Sequence, residues 1–521
     1  MRIAVLDGGP AGLYFALLMK KANPAHEITT FDRNTADNTF GWGVVFSDKT
    51  MDGSREADEK VVSDIEASFH HWDDIDVHFK GQKITSGGHG FCGIARIHLQ
   101  EISQHRCAEL GVKMVWESEI TDPDVYAKDY DLVIGADGVS SSVRAKHEAH
   151  FNPRIDLRTC RFIWLGTYKK LDAFTFAFKE TPYGWFNLHA YRFNSEMSTF
   201  IVETPEPTWK RAGLADKTPA EVIAFCEELF ADLLDGHSLI SNALHLRGSA
   251  VWLKFNRVLC ERWYKGNIVL IGDAAHTAHF GIGSGTKLAM EDAISLVRVL
   301  NSSEGTVPQQ LASYQAEREV EALKLQSAAR NRMTWFEDID RYVYMEPEQL
   351  TFSLLTGSQR VGHANQKMRD AKYIDGVDRW FAAQAGVPVP ADQTPPSPMC
   401  TYSAADGLPD DFHFQHYTAR ALGGAALVMT EMTVVSPEGR ISPGCTGIWS
   451  DAQVAGWKRV IDFSQANSDA KLAIKLATPD AKARPVWPGT ASTNHWTRAT
   501  GKSWPPRPCL TSKGCLKSRA K

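Results

Sequence analysis

The chain has 521 residues, of which 43% are hydrophobic and 23% charged, and its formal net charge is −5. This composition excludes a mainly disordered or fibrous chain, and the slight acidic excess excludes a basic surface for nucleic acid or for an anionic membrane. Nine cysteines without C-x-x-C spacing and no long apolar run predict a cytoplasmic protein with reduced thiols.

The first 33 residues have the pattern of a nucleotide-binding unit. A short apolar run at residues 3–6 ends in glycines, residues 12–21 carry apolar side chains at helical spacing, and a second strand follows at residues 27–31. Strand, glycine turn, helix and strand in this order open a dinucleotide-binding fold. Further buried strands are predicted at residues 131–136 and 267–271, each next to an Asp-Gly or Gly-Asp pair.

Residues 160–203 change character, because β-branched and aromatic residues dominate there. They predict an antiparallel sheet domain, at about residues 156–244, inserted between nucleotide-binding parts at about residues 1–155 and 245–300. Thr218 and Glu221 have capping-box spacing and open a helix toward residue 234. A long helix is predicted at residues 308–336, within a helical part that extends to residue 385.

A different organisation is predicted beyond residue 385. Prolines cluster in a linker at residues 386–396. A second α/β pattern covers residues 397–476. After it, apolar periodicity ends, and residues 477–521 are expected to be exposed and without packed structure.

The first glycine turn is the earliest candidate site. It reads Asp-Gly-Gly-Pro-Ala-Gly at residues 7–12, so two of the three motif glycines are present and the first is replaced by Asp7. Such a turn lets the backbone approach a pyrophosphate, whereas Asp7 introduces strain and negative charge there. Asp32, at the end of the second strand and next to Arg33, is placed to accept hydrogen bonds from a ribose. The alternative is a glycine turn with a purely structural role.

Three motifs in order resemble those of the single-component FAD aromatic hydroxylases, the p-hydroxybenzoate hydroxylase-like group. They are the turn at residues 7–12, Asp-Leu-Val-Ile-Gly-Ala-Asp-Gly at 131–138, and Gly-Asp-Ala-Ala-His at 272–276. The resemblance implies an FAD-binding Rossmann-like domain with the first turn at the pyrophosphate, and contact of the second motif with FAD and NAD(P)H. It also implies that Asp273 contacts the ribityl chain. The cofactor-binding residues it implies are Gly8, Gly9, Gly12, Asp32, Arg33, Arg96, Asp137, Gly138, Arg144, Gly272, Asp273, Gly283 and Gly285.

A narrower resemblance extends over about residues 1–380. The segments at residues 40–47, 70–78, 86–91 and 272–287 are similar to hydroxylases acting on aromatic coenzyme A thioesters such as salicylyl-CoA and 2-aminobenzoyl-CoA. This implies an aromatic acyl-CoA substrate, NAD(P)H and O2, and ring hydroxylation at C5 through a flavin C4a-hydroperoxide. A homodimer is a further expectation. The alternatives are a non-catalytic or remnant flavin-binding protein, suggested by Asp7, and a flavin dehydrogenase without oxygen chemistry.

Two histidines flank the expected flavin loop. His276 and His279 are candidates for proton relay or substrate binding, and loop packing is the alternative for both. His189, on the aromatic sheet, is a weaker candidate. The loop also departs from the family pattern at Phe280, which predicts a differently built loop over the flavin.

The C-terminal segments at residues 397–404, 411–413, 421–431, 437–440 and 447–451 resemble the old yellow enzymes, FMN-dependent ene-reductases with a (β/α)8 barrel. The resemblance implies flavin contacts for Pro398, Met399, Cys400 and Ala404. Only about 80 residues match, against about 250 for a barrel. We therefore expect a barrel fragment without ene-reductase activity, and FMN only if this fragment still binds it.

The tail departs from the family after residue 476. One choice of codons for residues 476–489, shifted by one inserted base, restores a sequence similar to that of the family. We therefore expect residues 477–521 to be translated out of frame, which resequencing of the gene tests.

Overall fold

A computed structural model describes residues 1–39, 41–47, 52–120, 122–242, 252–302, 304–384, 400–425, 427–440 and 442–477. The chain divides into two compact units, Met1–Val377 and Asp378–Lys521. The predicted linker at residues 386–396 lies outside the described residues, as do residues 478–521 of the predicted tail. The first residue of that tail, Ala477, instead ends a strand and pairs with Val434.

The secondary structure of the described residues follows. The strands are β1 (Arg2–Leu6), β2 (Glu27–Phe31), β3 (Gly43–Ser47), β4 (His70–Trp72), β5 (Ile75–Phe79), β6 (Gln82–Ser86), β7 (Phe91–Ala95), β8 (Lys113–Val115), β9 (Leu132–Gly135), β10 (Pro153–Thr167), β11 (Phe174–Thr181), β12 (Gly184–Arg192), β13 (Ser198–Pro205), β14 (Leu239–Ile240), β15 (Leu253–Cys260), β16 (Tyr264–Lys265), β17 (Ile268–Leu270), β18 (Leu427–Val434), β19 (Thr446–Gly447) and β20 (Lys471–Ala477). The helices are α1 (Pro10–Ala22), α2 (Asp52–Ala57), α3 (Glu59–Ala67), α4 (Arg96–Leu110), α5 (Pro123–Asp129), α6 (Ser142–Lys146), α7 (Glu148–Phe151), α8 (Glu206–Arg211), α9 (Pro219–Leu229), α10 (Ala231–Leu234), α11 (Gly285–Ser302), α12 (Val307–Glu337), α13 (Pro347–Thr356), α14 (His363–Arg369), α15 (Ala371–Gln384), α16 (Asp411–Leu422) and α17 (Asp451–Asn467).

The nucleotide-binding sheet has the order β16-β17-β9-β1-β2-β8. Its neighbours are parallel except for β16, and Val5 of the central strand lies between Thr30 and Ile134. The apolar side chains of β1 and β9 are fully buried, because α1, α4 and α11 cover the sheet. The α/β fold class expected from the sequence is confirmed.

The second sheet of this unit has the order β14-β10-β13-β12-β11-β5-β6, and β15 pairs with β10. Its central pairs are antiparallel, as expected for residues 160–203. However, β5 joins β11 in parallel and places Val77 opposite Phe176. This sheet thus takes strands from residues 75–86, a stretch that the sequence pattern assigned to the nucleotide-binding part.

Local helix signals agree with the structure. The capping box of Thr218 and Glu221 is present at the start of α9. That helix ends at Leu229, and a separate turn of helix, α10, follows it. The predicted long helix is α12, whose buried side chains pack toward both sheets.

The second unit contains a parallel sheet with the order β19-β18-β20. Helices α16 and α17 supply its core, in which Tyr417 and Trp457 pack with Val428 and Val460. Parallel strands with crossover helices agree with the (β/α) pattern expected for residues 397–476.

Candidate active site

The first candidate region is the edge formed by the carboxyl ends of β1, β2 and β9. Helix α1 begins at Pro10, and its N-cap, Gly9, makes no side-chain capping hydrogen bond. Pro10 has no N–H, and the N–H of Leu13 donates to the carbonyl oxygen of Gly9. The N–H groups of Ala11 and Gly12 are therefore those available to an anion. A Cβ on Gly12 would lie 2.3 Å from the carbonyl oxygen of Asp7, so only glycine fits there. These features fit a pyrophosphate.

Asp32 closes this turn. The N–H of Gly8 donates to its Oδ2 at 3.0 Å, and the N–H of Asn34 donates to its Oδ1 at 2.7 Å. The Asp32 carboxylate is buried but keeps free acceptor capacity, whereas Arg33 is exposed. Asp32 therefore fixes the backbone of the turn, and its predicted contact with a ribose stays a prediction.

Asp7 departs from the glycine motif of this turn. Its φ is +101°, a conformation that the first glycine of the motif would adopt without strain. Burial raises its pKa well above the usual range, and the nearby carboxylates of Asp32 and Asp137 raise it further, while Arg33 opposes them. The first glycine turn thus contains a carboxyl group that favours its protonated form.

The second motif is joined to the third by Arg144. Asp137 accepts hydrogen bonds from the N–H groups of Ser142 and Val143, at 2.6 and 3.1 Å, and so fixes the start of α6. Gly138 has a φ of +75°, which suits the turn before this helix. Arg144 is buried and donates from Nη1 to the carbonyl oxygen of Ala274 at 2.8 Å. Arg144 is therefore placed to hold the two motifs together.

The third motif lies where two helices come close. A Cβ on Gly272 would meet Ala11 of α1 at 3.2 Å and Ala289 of α11 at 3.3 Å. The next residue, Asp273, is solvent-exposed although protein atoms surround it, as expected for a side chain on the wall of a cleft. These surroundings raise the pKa of Asp273, and the positive charge of Arg96 partly opposes that shift.

Arg96 connects this wall to the first turn. It is the first residue of α4, half-buried, and its charge interacts with both Asp273 and Asp7. The structure thus brings Arg96 close to the first and third motifs, and the predicted contact of these residues with FAD stays a prediction.

Asp292 organises the start of the flavin loop and was missed from the sequence. Its Oδ2 accepts from the N–H of Gly272 at 3.0 Å and lies 2.8 Å from Nε2 of His276. Its Oδ1 accepts from Nε of Arg318 at 2.9 Å. Burial alone would raise the pKa of Asp292, but His276 and Arg318 outweigh it and lower the pKa. The sequence did contain a signal for Asp292, because it is a charged residue at a position on the otherwise apolar, buried face of α11.

The two histidines predicted near the flavin are both buried and both already engaged. His276 faces Asp292 and packs at a tilt against Trp263, with ring centroids 4.6 Å apart. Nδ1 of His279 accepts from the N–H of Gly281 at 3.1 Å and caps the short turn Phe280–Ile282. In these contacts both side chains hold the loop, so their direct role in proton transfer stays a prediction.

The loop continues into the glycines expected at the flavin. Gly283 has a φ of +62°, and Gly285 is the first residue of α11. Ser284 accepts from the N–H of Leu288 at 3.0 Å through its carbonyl oxygen. Helix α11 thus starts after Ser284, and Gly283 and Gly285 have no side chain that would cover the backbone of its first turn.

A buried polar cluster lies beside this loop on the second sheet. Glu203 is 1% exposed, and its two oxygens lie 3.2 Å from Nε2 of His189 and 3.8 Å from Nε2 of His279. Burial raises the pKa of Glu203 to about 7 and lowers those of His189 and His279 to about 3 and about 4. Three phenylalanines pack around these groups: Phe176, Phe280 and Phe336. Motif analysis identified His189 but not Glu203, which carries no motif.

The predicted FMN contacts fall in the second unit. Pro398 and Met399 lie outside the described residues. Cys400 is half-buried, and Ala404 is buried with its N–H donated to the carbonyl oxygen of Gly444 at 3.0 Å. Nearby, buried His413 lies 3.0 Å from Glu431. FMN contact by these four residues stays a prediction.

Among the described residues, no helix is long and apolar enough to cross a membrane, and no group of His, Cys, Asp and Glu could hold a metal ion.

Comparison with known proteins identifies the family of the first unit. Residues 126–329 match the FAD binding domain family. Salicyloyl-CoA 5-hydroxylase of a Streptomyces species is 38% identical over 391 residues, which cover 73% of this chain and 74% of that protein. The 3-hydroxy-4-methyl-anthranilyl-(aryl-carrier protein) 5-monooxygenase of Streptosporangium sibiricum is 33% identical over 336 residues, which cover 64% of this chain and 89% of that protein.

The fold and the C-terminal module have relatives of their own. The tetrameric form of 2-methyl-3-hydroxypyridine-5-carboxylic acid oxygenase superposes with a TM-score of 0.51 at 18% identity, over 71% of this chain and 97% of that structure. Residues 395–486 match the NADH:flavin oxidoreductase / NADH oxidase family. NADPH dehydrogenase of Listeria monocytogenes is 47% identical over 95 residues, which is 18% of this chain and 27% of that protein. The predicted resemblances of the first unit to the FAD aromatic hydroxylases and of the C-terminal segments to the FMN-dependent old yellow enzymes are confirmed.

Proposed function

The chain belongs to the FAD-dependent aromatic monooxygenases, and from this membership we propose that it hydroxylates the ring of an aromatic acyl-CoA thioester at C5. Salicyloyl-CoA and 2-aminobenzoyl-CoA are the proposed substrates. The observation that carries this choice is the 38% identity to a salicyloyl-CoA 5-hydroxylase over 73% of the chain.

The FAD, reduced by NAD(P)H, supplies the activation of O2 when it is bound. The chain supplies the binding site, in which the open N-terminus of α1 suits the pyrophosphate and Asp273 suits the ribityl hydroxyls. His279 fixes the turn before Gly283 and so sets the backbone on which the isoalloxazine would rest. In this proposal the FAD-binding residues act through position and charge.

The cluster beside the loop suits an aromatic substrate. Phe176, Phe280 and Phe336 pack around the His189 ring and make its surroundings apolar, while Glu203 and His189 are buried polar groups among them. An ortho-hydroxy or ortho-amino group activates the ring position para to itself, which is C5 in both proposed substrates. A ring held against these phenylalanines would present that position to the flavin loop.

The first experiment uses the full chain, purified and loaded with FAD. We expect a yellow protein whose oxidation of NADH or NADPH is stimulated by salicyloyl-CoA or 2-aminobenzoyl-CoA. Mass spectrometry should find a product with one added oxygen, derived from isotopically labelled O2. Benzoyl-CoA, which lacks the ortho group, is the matched control substrate.

The outcomes separate the alternatives. A colourless protein that binds no added FAD would support a remnant flavin-binding fold and refute the enzyme. Reduction of an artificial dye without hydroxylated product would support a flavin dehydrogenase. Assembly as a homodimer is a separate proposal, which sedimentation of the purified chain tests.

A further inference from the structure

Arg332, on α12, is a buried cation without a counter-ion. Arg332 is 7% exposed, and among the residues that the structure describes neither its Nε nor its Nη1 has a hydrogen-bond partner. No ion pair to it occurs within the part of the chain that the structure describes. Burial lowers its pKa only to about 10, so the group stays charged at neutral pH. A buried charge left in this state is destabilising.

The other buried arginines described in this unit have a charged or backbone partner, although Nε of Arg158 has none. Arg318 pairs with Asp292 and Glu291, Arg158 with Glu337 and Asp156, and Arg144 donates to backbone carbonyl oxygens. Arg332 is therefore an exception within its own unit. An unpaired buried cation is a common property of a site whose partner is a ligand.

The position of Arg332 indicates where such a ligand would lie. A Cβ on Gly281 would be 3.3 Å from Cγ of Arg332, so the aliphatic part of the side chain lies against the flavin loop. At the charged end, a Cβ on Gly357, the C-cap of α13, would be 3.3 Å from Nη1. The guanidinium carbon is 5.5 Å from the ring centroid of Phe176 and 5.6 Å from that of Phe336. An unpaired cation thus lies between two aromatic rings and the end of α13, on a side chain whose aliphatic part touches the flavin loop.

The nearby ionisable groups do not neutralise this cation. His189 and His279 are electrically neutral at pH 7, because burial and the charge of Arg332 lower the pKa of each. Glu203 faces the two histidines rather than the guanidinium. Two donor nitrogens consequently remain for an electron-rich oxygen.

We propose that Arg332 binds an oxygen of the aromatic acyl substrate, either the ortho phenolate oxygen or the thioester carbonyl oxygen, and so positions the ring at the flavin loop. This inference rests on the proposed function and adds to it a residue that determines specificity. A cation at the ortho oxygen also favours the phenolate, which is the more electron-rich form of the ring. Substrate binding would supply the missing acceptor for the guanidinium.

The test compares Arg332→Met with Arg332→Lys in the FAD-loaded full chain. Titration of the flavin absorbance gives dissociation constants for salicyloyl-CoA and benzoyl-CoA. We expect Arg332→Met to weaken salicyloyl-CoA binding about 10- to 100-fold, the effect of losing a charge-assisted hydrogen bond, and Arg332→Lys to restore part of it. A smaller loss for benzoyl-CoA identifies the ortho oxygen as the partner, and an equal loss identifies the thioester carbonyl.

Thermal unfolding without substrate separates binding from a structural role. Removal of an unpaired buried charge should raise the Tm of Arg332→Met by about 2 °C or more. Arg158→Met, which removes a buried but paired arginine, should lower the Tm. A lower Tm in Arg332→Met would make Arg332 a structural residue and overturn the inference.

The binding outcomes distinguish the two proposals. Unchanged affinity of Arg332→Met for both esters, with normal binding by the wild type, overturns the role of Arg332 and leaves the proposed function intact. Failure of the wild type to bind salicyloyl-CoA and 2-aminobenzoyl-CoA overturns both.

Discussion

Replacing Asp7 with glycine should improve both folding and FAD binding. The φ of +101° at this residue costs a non-glycine side chain about 1–3 kcal/mol, and glycine adopts it without that cost. The substitution also removes a carboxyl group that faces Asp32 and Asp137 at the edge meant for a pyrophosphate. We therefore expect Asp7→Gly to raise the free energy of unfolding by about 1–3 kcal/mol and to lower the dissociation constant of FAD.

The stability gain should depend on pH, with a defined sign. The pKa of Asp7 is raised in the folded protein, so the folded state holds this proton more tightly than the unfolded state does. The wild type is thus most stable, as far as Asp7 is concerned, below the ordinary carboxyl pKa. It loses that contribution as pH rises through the raised pKa. Asp7→Gly lacks this loss, so its advantage should grow with pH over that window.

Urea unfolding at several pH values and FAD titration by fluorescence quenching measure the two effects. Asp7→Asn is the matched control, because it removes the charge and keeps a side chain at the strained backbone position. If strain dominates, Asp7→Asn should be less stable than Asp7→Gly at every pH. Unchanged or weaker FAD binding in Asp7→Gly would show that the turn accommodates the carboxyl group and would refute the reasoning.

Three further predictions concern the same unit. Asp273→Ala should raise the dissociation constant of FAD about 10- to 100-fold, measured by equilibrium dialysis, because a charge-assisted contact is lost; normal flavin occupancy would contradict the assignment. Asp292→Ala should lower the free energy of unfolding by about 3–5 kcal/mol in urea, since it removes the buried partner of Arg318 and leaves only the half-buried Glu291. Glu321→Ala, which breaks an exposed pair with Lys324, should change the free energy of unfolding little. A chain ending at residue 385 should keep the FAD binding and hydroxylation of the full chain, measured by flavin content and product formation; loss of FAD would assign the C-terminal segment a structural role.

The parts of the fold that the sequence predicted are those with local signals. The strand Glu27–Phe31 was predicted with its observed bounds, and the capping box at Thr218 was found where it was expected. The helix predicted at residues 12–21 begins two residues earlier in the structure, because Pro10 at the first position favours helix initiation. Such features depend on a few neighbouring residues, so a single sequence contains them.

The remaining features depend on contacts between distant residues. Nothing local shows that β5 adds to β11, since alternating apolar residues fit either sheet. Likewise, Arg332 is one of many basic residues in the sequence, and its lack of a partner arises only from the packing of α12 against the loop. Glycine motifs indicate the proposed FAD site because a pyrophosphate is bound by backbone N–H groups, whereas the proposed substrate contacts depend on single side chains that belong to no motif.

Substitution of His279 by asparagine or alanine separates a positioning role of this side chain from a role in proton transfer. Its Nδ1 accepts from the N–H of Gly281 at 3.1 Å, as the side chain of an N-cap residue does. Asparagine is among the best N-cap residues and offers an oxygen near the position of Nδ1, but it cannot titrate near neutral pH. His279→Asn should therefore keep most of the hydroxylation rate and the flavin spectrum, while His279→Ala should lose both as the turn loosens. Equal loss in the two variants, with unchanged flavin spectra, would instead indicate that the imidazole itself transfers a proton.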